Sequence, residues 1–159
     1  MQKIEKLITK ASKIMDIAAG WGIVAIMALV VVNVLTRVIF NNPIKGVYEY
    51  VGYMTAGAIA LSIAYCALKN AHIAIEFLFE KLPVNAKKAI NYISGSIIIV
   101  FLLFLCCQLF IYAFKVMSSG EVSPTAKMPF YPFIFIIAIG MFVLAAVEFV
   151  KMVKGGGQG

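Results

Sequence analysis

Four stretches of this chain carry no Asp, Glu, Lys or Arg: Ile17–Thr36, Tyr50–Leu68, Ala89–Phe114 and Met128–Val147. They hold 20, 19, 26 and 20 residues. A helix rises about 1.5 Å per residue, so each run is long enough to cross a hydrocarbon core of roughly 30 Å. The whole chain has 159 residues, 63% of them hydrophobic and 13% charged. One soluble core of that size would leave much of this apolar surface in water, so lipid is the natural solvent. Inside lipid every backbone N–H and C=O needs a partner, and alternation of the barrel kind is absent, which leaves helices. The expected fold is an all-α membrane protein with four transmembrane helices, about residues 14–36, 47–69, 87–115 and 127–150. They make one domain over residues 1–154, with a flexible tail at 155–159.

Lys and Arg set the expected orientation. With four crossings, the N-terminal lead, the middle loop and the C-terminal tail share one side. That side holds Lys3, Lys6, Lys10, Lys13, Lys69, Lys81, Lys87, Lys88, Lys151 and Lys154, and the other only Arg37, Lys45, Lys115 and Lys127. The positive-inside rule places both termini in the cytoplasm. The net charge of +7 follows from this asymmetry and from anionic lipid, so nucleic acid is not an expected partner. The sixteen-residue charged lead lacks a small-x-small cleavage site and reads as a retained anchor.

Two segments look interfacial. The lead places Ile4, Leu7, Ile8, Ala11 and Ile14/Met15 at helical spacing between lysines, which suits a helix lying on the membrane before the first span. The middle loop crowds apolar residues from His72 to Leu82 on one side, with Pro83 as its stop. In the second span Gly52, Ala56, Ala60 and Ala64 recur every four residues, a small-residue stripe suited to close helix packing.

Chemistry has little to work with. His72 is the single histidine, too few for paired haem ligands. Cys66, Cys106 and Cys107 fall inside spans and read as packing residues. No nucleophile–base pair or metal cluster assembles, so an enzyme is not expected, and neither is a cofactor or metal in this chain. Asp16, Arg37, Glu49 and Glu148 all sit at span ends, and no ionisable residue lies where an ion-coupled transporter needs one. Gln108 reads as interhelical glue. Arg37 and Glu49 flank the turn at Asn41–Pro43, and two readings of them stand: a wet interfacial ion pair, or charges that face a protein partner.

Three motifs in order then carry a resemblance. The stretch NVLTRVIFNNPIKGVYE has Asn33, Arg37, Phe40, Pro43 and Glu49 as its marked positions. KNAHIAIE runs from Lys69 through His72 to Glu76 and is followed by Leu82 and Pro83. GEVSPT spans Gly120–Thr125, with Pro129 and Gly140 beyond it. Together, over about residues 12–150, they resemble the small membrane subunit (DctQ-type) of tripartite ATP-independent periplasmic (TRAP) transporters. Glu76 departs mildly, because many relatives carry aspartate there.

The resemblance implies a scaffold subunit in the bacterial inner membrane. Its partners would be a large membrane subunit on a separate chain, a periplasmic substrate-binding protein and membrane lipid. The system would import an organic acid of the C4-dicarboxylate or sialic acid class, with sodium bound in the large subunit and no substrate contact in this one. Asn33, Arg37, Pro43, Glu49, His72, Ser123, Pro124 and Thr125 become expected positional or partner-interface residues. The sequence leaves two rivals: an autonomous homo-oligomeric transporter, and a membrane anchor of a redox complex.

Overall fold

The computed structural model describes residues 2–69 and 84–155. The expected middle-loop helix and His72 lie outside the described residues. Among the described residues four helices follow one another: α1 (Gln2–Phe40), α2 (Val47–Leu68), α3 (Val84–Ser119) and α4 (Tyr131–Gly155). Each contains a stretch long and apolar enough to cross a membrane. The only β pairing among the described residues is an isolated bridge between Val122 and Pro129.

The first helix differs from expectation. The lead does not form a separate element that turns at Asp16; it is the start of α1, which runs 39 residues without a break. The reason is local: no Pro or Gly interrupts residues 2–19, and the apolar period of the lead runs on into Ala18 and Ala19. At about 1.5 Å per residue α1 is roughly 58 Å long, well beyond a hydrocarbon core. Its early part packs into the bundle, with Ile8 against the cluster of Ala64, Ala67, Leu144 and Val147 and with Ser12 fully buried. At the other end Asn41 adopts φ 49°, the left-handed conformation that closes helices, and Pro43 prevents continuation.

The packing order is α1–α2–α4–α3. The hairpins α1–α2 and α3–α4 therefore meet through α2 and α4, which run in the same direction. Tyr53 stacks on Phe130 and Phe133, each at 5.7 Å between ring centroids. Further along, a Cβ on Gly57 would touch Ile136 at 3.6 Å. Closest of all, a Cβ on Gly140 would lie 2.2 Å from the carbonyl oxygen of Ala60. The buried small residues of α2 are Gly57, Ala58, Ala60, Ala64 and Ala67. Ala60 and Ala64 of the expected stripe lie among them, whereas Gly52 and Ala56 are exposed, and a Cβ on Gly52 would meet nothing within 4 Å. The buried small residues Gly57, Ala60, Ala64 and Ala67 recur at alternating steps of three and four, so a strict four-residue stripe drifts off the seam.

The second hairpin closes on aromatic and thiol contacts. Phe110 and Phe114 of α3 meet Phe135 at 6.0 and 5.3 Å between centroids. The thiol of Cys106 donates to the carbonyl of Ala138 at 3.6 Å, so this buried cysteine does pack, with a weak polar contact added.

Gly140→Ala is expected to force α2 and α4 apart and to destabilise the bundle by roughly 1–3 kcal/mol, the usual cost of overpacking. Gly52→Ala has open space and is expected to stay within about 0.5 kcal/mol of the parent. Unfolding of both variants in mild detergent checks the contrast.

Candidate functional site

The first and third motifs come together at one end of the bundle, where the α1–α2 and α3–α4 turns lie side by side. Glu49 sits in the first turn of α2, where the helix N-terminus favours an acidic side chain. Its carboxylate reaches across to the α3–α4 turn and accepts three hydrogen bonds. Oε2 accepts from the hydroxyl of Ser123 and from the N–H of Ala126 at 2.8 Å; Oε1 accepts from the N–H of Thr125 at 2.9 Å. All three partners are donors, which suits a carboxylate and not a carboxylic acid.

The turn is shaped to present those donors. Gly120 enters it with φ 67°, and Lys127 leaves it with φ 50°. The Val122–Pro129 bridge draws its ends together, and the N–H of Ser123 donates to the Met128 carbonyl at 2.9 Å. The N–H of Lys127 donates back to the Ser123 carbonyl at 3.1 Å. Pro124 has no N–H to offer and holds φ in the turn range, so the next two amides are the ones left free to point at Glu49. Successive amides of this kind form a small anion cradle. Ser123 is 1% exposed, so its hydroxyl has no water to turn to and the carboxylate satisfies it.

The other wall of the contact is Gly46, the N-cap of α2 at φ 77°. A Cβ there would fall 2.5 Å from the Cβ of Ala126, so glycine is required both by conformation and by the close approach of the two turns. Asn33 holds the α1–α2 turn from behind: its Oδ1 accepts from the N–H of Ile44 at 2.9 Å, eleven residues on. Pro43, one residue earlier, is exposed at the bend, as are Pro124 and Thr125 on the facing turn.

Arg37 stands apart. It is exposed one helical turn beyond Asn33, and no described carboxylate lies within ion-pair distance of it. Glu49 is committed to the facing turn, so the two charges do not pair. The ion pair found among the described residues is Lys151–Glu148 at 3.6 Å, at the opposite end of α4. Gly46 and Ala126 were not legible as site residues. A glycine just ahead of an acid that opens a helix was the available signal for the first; nothing marks the second. No group of three or more His, Cys, Asp or Glu side chains that would hold a metal is present among the described residues.

These features define a multi-pass helical membrane protein whose polar groups brace its own turns. The profile of the family described as "Tripartite ATP-independent periplasmic transporters, DctQ component" matches residues 26–155. That is most of the chain, including both turns of the clamp, and the chain belongs to this family. It is a TRAP transporter small membrane subunit, a multi-pass protein of the inner membrane, in a family of transporter components and not of enzymes. Comparison with curated proteins and with solved structures returns no match.

Glu49→Ala is expected to speed hydrogen exchange at the Thr125 and Ala126 amides and protease cleavage within residues 120–127, while amides in the middle of α4 keep their protection. Ser123→Ala should do the same to a lesser degree. Arg37→Ala should leave exchange in that turn unchanged; acceleration equal to that of Glu49→Ala would restore the ion-pair reading.

Proposed function

We propose that this chain is the static small subunit of a sodium-coupled importer of an organic acid of the C4-dicarboxylate or sialic acid class. A periplasmic binding protein delivers the acid to a large membrane subunit on a separate chain. That subunit binds substrate and sodium and moves; this one supports it, with both termini in the cytoplasm, and touches neither. The observation that carries this reading is where the polar chemistry is spent. The most extensive polar constellation among the described residues, Glu49 with Ser123, Thr125 and Ala126, is consumed in locking one turn to another. A carboxylate held by three donors of the facing turn acts as a strut and not as a carrier site.

Long, exposed apolar faces on the flanking helices α1 and α3 accord with the same role, since they suit lipid on some sides and a membrane partner on another. On this reading the exposed Arg37, with Pro124 and Thr125 on the rim of the clamp, meets the large subunit or the docked binding protein.

Cells that keep the large subunit and the binding protein but lack this chain are expected to lose sodium-gradient-driven uptake, down to the level of cells lacking all three. The purified chain alone in liposomes should transport nothing. Transport by the chain alone would overturn the proposal in favour of an autonomous carrier.

A further inference from the structure

The two flanking helices do not present the same chemistry outward. On α1 the outward residues through the span include Trp21, Val24, Met27, Val31 and Leu35, all exposed and all able to face lipid chains. On α3 the residues turned to α4 include Leu102, Cys106, Ala113 and Val116, all buried. The side turned away holds a regular seam at alternating spacings of three and four: Ile97, Phe101, Phe104, Gln108, Ile111 and Lys115, every one exposed. Its apolar members are 59–63% exposed. That spacing is the one by which a second helix at a shallow angle buries knobs into holes.

Gln108 lies near the middle of the Tyr92–Ser119 span. A primary amide there has two N–H donors and a carbonyl acceptor, and hydrocarbon offers partners for none of them. Lys115 lies two turns further along the same seam, about 10 Å away along the axis.

We infer that this face of α3 is the docking surface for a transmembrane helix of the large subunit, one that offers a hydrogen-bonding side chain at the depth of Gln108 and an acceptor near Lys115. The inference rests on the small-subunit reading above and deepens it by naming the face. Charge decides against a second copy of this chain. Two copies in one membrane share orientation, so a twofold axis along the membrane normal sets Gln108 against Gln108 and also Lys115 against Lys115. The amides would pair, but the like charges would oppose the contact. A different helix meets both demands at once.

The test uses the full chain in membranes with its co-expressed large subunit, Phe104 or Val31 being replaced in turn by the photo-reactive p-benzoylphenylalanine. Illumination is expected to join position 104, and not position 31, to the large subunit. In the chain without the photo-reactive residue, Gln108→Leu should lower the recovered complex roughly 3- to 20-fold, the range of interhelical hydrogen bonds in membranes. Gln108→Asn should restore most of it. Adducts from 31 but not 104 would overturn the face while leaving the subunit reading intact. A self-adduct of the chain at 104 would overturn the choice of partner. Failure of the unmodified chain to recover the large subunit at all would overturn the subunit reading and this inference with it.

Discussion

The two hairpins of this protein are joined along the line where α2 and α4 touch, and that line depends on one backbone approach. Gly140 lies so close to the Ala60 carbonyl that no side chain fits between them. In lipid there is no hydrophobic drive to bring helices together, so contact area must come from shape. Small residues at Gly57, Ala60, Ala64 and Ala67 let α2 approach, and the missing Cβ at Gly140 brings the helices into contact. With α2 and α4 held in the centre, α1 and α3 lie on the flanks, and no other described helix covers their outer faces.

The Glu49 clamp works on the same pair of hairpins from the end. The α2–α4 seam is apolar, and apolar seams tolerate sliding and rotation. A carboxylate with three directional donors does not, because a shift of about an ångström breaks its hydrogen bonds. Gly46 against Ala126 adds a steric stop beside it. The seam supplies contact, and the clamp supplies register.

Much of this was legible from residue order alone. Four spans follow from four charge-free runs, because unpaired backbone and buried charge are both intolerable in hydrocarbon. The marked positions Asn33, Glu49 and Ser123 stood out as motif members. Their roles did not. Arg37 is the visible candidate partner for Glu49 because it flanks the same Asn41–Pro43 turn, whereas backbone amides more than seventy residues away look like any others. The lead's lysines and apolar positions alternate by face, a pattern that suits a helix lying flat on the membrane. The unbroken run without Pro or Gly accounts for its continuity into α1, but the docking of Ile8 and the burial of Ser12 in the bundle depend on contacts that no local pattern announces.

What the amino-acid sequence determined by itself is the kind of object this is: a helical, four-span membrane subunit with its charges at the edges and no midplane ion site. Period, length and charge are local properties, and the bilayer converts them directly into spans. The packed fold settles which small residues are the seam, that Glu49 grips the other hairpin and not Arg37, and that Gln108 faces away from the bundle. Those outcomes depend on helix rotation and on contacts between segments far apart in the chain, where a change of one residue in register turns a different face inward.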